Sequence, residues 1–475
     1  MMAATRPAKT ACALAAIALC LLAGCAGRAG PPPMSALTLP EQWRTAAPLS
    51  LAGIGRAVDQ EWWQAFGDPV LSELVTQALT RNADLLTARA RVLESHARVT
   101  QAHAGQLPSL SASVSPQRAR AMNAFNTPID ITVLAAQVEA SYEVDLWGRL
   151  AALTDVALAA ERAEQANADA VGLAVAATTA SAYLNLRGLD AQLELTQKTL
   201  QLRRDSLDLA RRGYDAGYTS QLEWLQAKAE YEAAGEAIPQ LELAIAEQEN
   251  TLSVLAGAAP GAVRRGLPLA ALAPPDIPAG LPSALLRRRP DIYRAQQMLA
   301  AQSAALKAAQ EQMLPSFRLT AAGGVQAAGW HQFINAPAEL WRLAAGLSEP
   351  LFDGQRLQAQ TDIAAAQRDQ AFHQYENVVR NALRDTENGL TALAKLRAQA
   401  EVNLARSRTA ADTLRIAQSR YRNGYNSYLE QLDAQRTQYA VEISRLQLQT
   451  RLLVASVDLY RALGGGWQRP APPAR

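Results

Sequence analysis

Arg211-Arg212-Gly213-Tyr214-Asp215-Ala216-Gly217-Tyr218 is echoed 207 residues later by Tyr421-Arg422-Asn423-Gly424-Tyr425, and this echo decides the fold. At the same offset Leu222 pairs with Leu429, Leu225 with Leu432 and Ala227 with Ala434. Each copy lies between long Leu/Ala-rich helical patterns, where a lone glycine among helix formers marks a tight turn between antiparallel helices. The spacing therefore predicts two helical hairpins, each with a marked tip. Further out, Asp84-Leu85 maps onto Asp291-Ile292, Leu107-Pro108-Ser109-Leu110 onto Leu314-Pro315-Ser316-Phe317, and Gly257 onto Gly464. Only around Leu146-Trp147-Gly148-Arg149, against residues 351–356, does the register slip by a residue or two. So complete a repeat argues for two interwoven halves of one body.

The 475 residues are 49% hydrophobic and 19% charged, with a net charge of +2, so the chain can bury a large core and carries no bias toward nucleic acid. Arg6 and Lys9 precede an apolar run over residues 11–22, followed by Leu22-Ala23-Gly24-Cys25. This pattern predicts a signal peptide over 1–24. It resembles a bacterial lipobox, which implies cleavage before Cys25 and a lipid on that cysteine; with Ala26 rather than Asp next, such lipoproteins go on to the outer membrane. Cys12 and Cys20 leave with the leader, so no internal disulfide is expected. No mature segment reaches ~18 strongly apolar residues, so any membrane span must be a strand.

Proline-rich residues 30–40 read as a tether within a 25–61 N-terminal segment. Asp68-Pro69 suits a helix start above packed Trp62, Trp63 and Phe66. Residues 70–104 then run at helical period. From Leu110 to Val144 the period changes to two, most clearly where Val138, Ala140, Tyr142 and Val144 alternate with Gln137, Glu139, Ser141 and Glu143. Phe317, Leu319 and Ala321, then Leu343, Ala345 and Leu347, repeat this more weakly. We expect two strands per half, with Pro128 and Pro337 in the intervening loops. Four strands cannot close a spanning barrel, so the chain must oligomerise, a dimer supplying eight strands and a trimer twelve.

Residues 150–214 and 357–421 are helical for 65 residues each, about 97 Å at the α-helical rise. In the first, Leu193, Leu200, Leu207 and Tyr214 form one seam and Leu195, Leu202 and Leu209 a second, about 200° around, which suits a helix in the wall of a cylinder. Residues 222–255 and 429–463 return from the tips, the first kinked at Pro239. The halves span 62–259 and 283–467, joined by a Pro/Ala/Gly linker over 260–282 and followed by a 468–475 tail.

Several motifs together resemble the outer-membrane efflux lipoproteins, the OprM-like (NodT) members of the TolC superfamily. They are the lipobox at Cys25, Trp62-Trp63 with Phe66 and Asp68-Pro69, Asn82-Ala83-Asp84-Leu85, residues 286–292 (Leu-Arg-Arg-Arg-Pro-Asp-Ile), both Tyr-x-x-Gly tips, Leu432-Asp433-Ala434-Gln435-Arg436, and Leu463-Gly464-Gly465-Gly466-Trp467. The resemblance implies a mainly α protomer whose homotrimer closes a twelve-stranded outer-membrane barrel continued by an α-helical tube. It further implies an exit duct for small molecules such as drugs, served by a periplasmic adaptor and an inner-membrane RND-type pump. By the same resemblance Gly217, Tyr218, Thr219, Gly424, Tyr425 and Asn426 are the adaptor-docking tips. Glu430 and Asp433 would narrow the periplasmic entrance, with Arg420 and Tyr421 as candidates for holding it shut. Glu430 replaces a commoner Asp, and Asn426 stands where some relatives carry a basic gate residue.

No cofactor is expected beyond the lipid. His96, His103, His331 and His373 show no metal-site spacing, and neither a nucleophile elbow nor a phosphate loop is present, so catalysis is not expected. Arg287, Arg288 and Arg289, just before Asp291, fit charge pairing within the fold. The alternatives are a type I protein-secretion channel of the same superfamily and a non-channel periplasmic coiled-coil lipoprotein. The alternating strands disfavour the latter.

Overall fold

The computed structural model describes residues 38–45, 60–278 and 280–470. The leader and Cys25 lie outside the described residues. Nine α-helices and four strands occupy the described chain in the order α1 (Pro69–Arg81), α2 (Ala83–Ala104), β1 (Ser109–Met122), β2 (Pro128–Val144), α3 (Arg149–Asp215), α4 (Gln221–Leu255), α5 (Leu285–Arg288), α6 (Pro290–Glu311), β3 (Ser316–Ala327), α7 (Trp330–Asn335), β4 (Ala338–Ser348), α8 (Arg356–Arg422) and α9 (Tyr428–Ala462). They form two compact units, one from Arg91–Glu164 and Arg294–Glu376, the other from Gln165–Tyr293 and Asn377–Arg475 with the described chain before Arg91. Each unit draws on both repeats.

In the first unit the four strands form an antiparallel sheet in the order β1-β2-β3-β4. Its register shows why the alternation in sequence matters. Leu110, Ala140, Ala321 and Leu343 make one row across the sheet, and Ala112, Val138, Gly323 and Trp341 the next. One residue out of phase, Ser111, Glu139, Ala322 and Arg342 align on the other face. There Glu143 meets its cross-strand partner Arg318 at 3.5 Å. Over these rows one face is therefore apolar and the other polar, through strands of both repeats, whereas nearer the β1–β2 turn the first face carries Arg118, Arg120, Asp130 and Thr132. Among the described residues little covers these apolar rows, Leu110 being 74% exposed and Trp341 80%, although Leu134 and Ala327 on the same face are buried. The edges β1 and β4 pair with no further strand among the described residues.

Pro128 does not lie in a loop as expected but is the first residue of β2, opposite Met122, a position where a proline costs the ladder little. The turn itself is built by Asn123, whose Oδ1 accepts from the N–H groups of Phe125 (2.9 Å) and Thr127 (3.0 Å). Pro337 does fall between α7 and β4.

The long helices run 67 residues each, one longer at either end than their expected limits. The pattern over 70–104 is not one helix but two. Asn82 leaves the helical region (ψ 130°), and its Oδ1 accepts from the N–H groups of Asp84 and Leu85, capping α2. Pro239 lies within α4 without ending it. Among the described residues no helix is long and apolar enough to cross a membrane.

The second unit holds the larger core. Trp62, Leu71, Tyr183, Leu184, Leu252 and Ile277 are almost fully buried, each such side chain contributing roughly 1.5–3 kcal/mol. Asp68 caps α1 as its position suggests: Oδ1 accepts from Val70 N–H at 2.8 Å, while Oδ2 accepts from the Tyr183 hydroxyl at 2.8 Å and Leu267 N–H at 3.0 Å. Burial, then the Asp68 carboxylate, push the Tyr183 hydroxyl well above its ordinary pKa and keep it a donor. The 260–282 linker packs closely, with Leu269, Leu272 and Ile277 buried. Arg289 pairs with Asp291 at 2.6 Å, as its position predicts.

Candidate functional site

The two tips are one backbone motif made twice. After α3, Gly217 adopts φ +77° and its N–H reaches the Tyr214 carbonyl at 2.9 Å, while Tyr218 N–H reaches the Gly213 carbonyl at 2.8 Å. After α8, Gly424 adopts φ +76°, its N–H reaches the Tyr421 carbonyl at 2.9 Å, and Tyr425 N–H reaches the Arg420 carbonyl at 2.9 Å. This pair of bonds is a Schellman closure, and its left-handed residue is the reason for the glycine. An added Cβ at either glycine meets nothing within 4 Å, so both tips are open to approach. Tyr218 is 88% exposed and Tyr425 76%.

Around these turns the side chains differ. At the first tip Thr219 Oγ1 donates to the Ala210 carbonyl at 3.2 Å, Ser220 Oγ accepts from Glu223 N–H at 3.2 Å, and Tyr214 stacks on Trp224 with ring centroids 5.5 Å apart. At the second tip Ser427 makes no side-chain cap bond, and Tyr421 instead donates its hydroxyl to Glu223 on α4. Ala210, Ala227, Tyr428 and Leu432 form a small buried cluster flanked by Leu207 and Tyr421, so α3, α4 and α9 meet directly behind the tips. Burial, then the bond to Glu223, raise the Tyr421 pKa, and burial beside Glu230 and Glu223 pushes Tyr428 up to about 12, so both hydroxyls stay protonated at neutral pH.

Further from the tips the hairpins are joined by polar bonds that were not apparent in the sequence. Glu230 on α4 is buried and binds two arginines, Arg203 of α3 (3.0 Å) and Arg436 of α9 (2.5 Å). The Thr196 and Tyr439 hydroxyls lie 3.0 Å apart, and Gln447 Nε2 reaches Gln192 Oε1 at 3.3 Å. Within the second hairpin Glu442 accepts from Arg445 at 2.9 Å and from Ser407; although burial opposes it, these bonds hold its pKa below the usual carboxylate range. Apart from Glu442 and Arg445, three residues apart on α9, the partners lie on sequence-distant helix faces, so residue type alone gave no signal.

Glu430 and Asp433 both lie exposed on α9, with Leu432 and Ala434 turned inward. Among the described residues neither carboxylate, nor the Arg420 side chain, has an ion-pair partner within this chain, and Tyr421 engages Glu223 rather than either of them. In the first seam of α3 Leu193, Leu200 and Leu207 are half-buried and Tyr214 is exposed, whereas in the second Leu202 is 66% and Leu209 52% exposed, lining a groove of about 360 Å³ beside Tyr421 and Tyr439. The four histidines are spread over three helices, His96 and His103 on α2, His331 on α7 and His373 on α8, with His96 paired to Glu161 at 3.0 Å.

Comparison with known proteins converges on one family. The outer membrane efflux protein model matches twice, over residues 74–258 and 281–465. The probable efflux pump outer membrane protein TtgC of Pseudomonas putida is 31% identical over 417 residues, covering 86% of each chain. The pyoverdine export outer membrane protein OpmQ of Pseudomonas aeruginosa is 33% identical over 470 residues, covering 96% of this chain and 97% of the relative. The open state of the Neisseria gonorrhoeae MtrE outer membrane channel superimposes with a TM-score of 0.81 at 28% identity, covering 93% of this chain and 98% of that one. With both repeats matched and likeness along nearly its whole length, the chain belongs to the outer membrane efflux protein family, as a TolC-like protomer serving efflux across the outer membrane.

Proposed function

We propose that three copies assemble into the exit duct of a tripartite efflux system, joining their four-stranded sheets into a twelve-stranded barrel. The observation that carries this reading is the sheet itself. Its strands have 11–17 residues, enough to span a bilayer, yet among the described residues most of its apolar face is uncovered and both edges are open. Edge pairing between copies satisfies the backbone, and lipid covers the apolar rows.

The tips at Gly217, Tyr218, Thr219, Gly424, Tyr425 and Asn426 receive a periplasmic adaptor, which links the duct to an inner-membrane pump. The duct is passive and carries no catalytic group, and it takes the small molecules its pump delivers. Glu430 and Asp433, repeated three times, place carboxylate rings at the entrance, where like charges repel and cations are favoured. Tyr421 and Arg420 border that entrance, and the Tyr421–Glu223 bond holds the second hairpin against the first. A lipid on Cys25 anchors the mature chain.

Native mass spectrometry and planar-bilayer recording of the detergent-extracted mature protein test the proposal together. Three chains per particle and a conducting pore support it; a monomer that never conducts overturns it.

A further inference from the structure

The two oxygens of Glu230 have different partners. Oε1 takes both Nε (2.8 Å) and Nη2 (2.5 Å) of Arg436, which comes from α9 of the second hairpin. Oε2 is left to Arg203, whose Nη2 lies 3.0 Å away and whose Nη1 also donates to the Glu230 carbonyl at 2.8 Å, all within the first hairpin. Exposure divides the three groups in the same way. The side chains of Glu230 and Arg203 are each 11% exposed, whereas that of Arg436 is 55% exposed.

We infer that Arg436 is a releasable latch that sets the balance between closed and open mouths, while Arg203 is the fixed countercharge that lets the latch let go. The inference rests on the gated-duct reading above, in which the second hairpin moves against the first.

A buried carboxylate whose only cation departs is left uncompensated, and such a state is strongly unfavourable. A hairpin latched by a lone Glu230–Arg436 pair would therefore resist opening. Arg203 removes that obstacle, because it stays with Glu230 through two bonds inside the first hairpin and keeps the carboxylate neutralised after Arg436 has gone. Arg436 already reaches water over half its surface, so its guanidinium is rehydrated readily on release. The latch thus holds by a charge-assisted fork and yields without stranding a charge. Arg203 also lies over the Tyr439 ring of the second hairpin at 5.4 Å, but a cation–π contact is weaker than an uncompensated buried carboxylate. The countercharge role therefore outweighs it.

The roles predict effects of opposite sign. In planar-bilayer recordings of the mature protein at neutral pH, Arg436→Gln is expected to raise the conducting fraction of time by roughly three- to tenfold, the change one partly exposed charge-assisted bond makes. Arg203→Met is expected to lower it by a comparable factor, because Arg436 then becomes the sole countercharge. Arg436→Lys keeps the charge without the fork and should fall between wild type and Arg436→Gln. If Arg203→Met fails to assemble, a lower conducting fraction for wild type than for both Arg436 variants still upholds the latch. Both arginine variants shifting in the same direction, or neither shifting, overturns the inference while the duct stands. A wild-type protein that never conducts overturns the duct and the latch together.

Discussion

The two tips share a backbone and differ in what their side chains grip. Gly217 and Gly424 close the same turn at φ +77° and +76°, with the same pair of carbonyl bonds behind them. The first tip then spends its side chains on itself, through the Tyr214–Trp224 stack, the Thr219 hydroxyl and the Ser220 cap. The second spends them on the first: Tyr421 on Glu223 and Arg436 on Glu230. The duplication preserved a shape and then divided the labour. One hairpin is self-braced, and the other is held by bonds that can be exchanged for water.

The largest expected effect tests whether the shared backbone is indispensable where it meets packed chain. Gly464 has φ +92°, and a Cβ there would lie 1.9 Å from the Arg288 carbonyl oxygen; its repeat equivalent Gly257 would meet the Arg81 carbonyl at 2.5 Å. Gly464→Ala should cost about 3 kcal/mol or more, read as a drop in melting temperature or a loss of assembled protein. Gly424→Ala, at an open position, should cost only about 1 kcal/mol.

The division of labour between the tips is tested by Tyr421→Phe against Tyr214→Phe. Removing the Tyr421 hydroxyl should raise planar-bilayer conductance several-fold, on the order of one lost hydrogen bond to a charged group, and Tyr214→Phe should leave it unchanged. A pH series sharpens this comparison. Because the Tyr421 pKa is raised above its usual value, the bond is fully present below about pH 10 and is lost as pH rises through the folded value. Conductance should accordingly be flat through neutral pH and rise only in strong alkali, and the rise should be absent in Tyr421→Phe.

Replacing Glu430 and Asp433 together with Ala should raise conductance through the closed mouth and weaken its cation preference. Unchanged conductance would remove these carboxylates from the entrance. The smallest structural effect is expected from a bulky charge at Gly217 or Gly424, such as Gly217→Arg: adaptor capture and efflux fall while the assembled protein persists. Loss of assembly would instead mark the glycines as folding positions.

Much of this was legible because repeats and periods are local signals. The tip glycines, the 3.6-residue period of the long helices and the two-residue period of β2 each read correctly, to within about a residue at the long-helix ends. Asn82 was misread because a capping asparagine inside an apolar helical rhythm looks like a tolerated polar residue until its Oδ1 is seen turned onto Asp84 and Leu85 N–H. Pro128 was misplaced because a strand's first residue and a loop's last share the same chemistry. The inter-hairpin bonds were invisible: Tyr421 and Glu223 are 198 residues apart, Arg436 and Glu230 206, and nothing in the pattern of either helix marks one as the partner of the other.

Single-particle electron microscopy of the mature, detergent-extracted protein tests the central claim most directly. A three-fold hollow particle whose barrel holds twelve strands, β1 of one copy beside β4 of the next, is the predicted result. A solid rod or a compact monomer would contradict it.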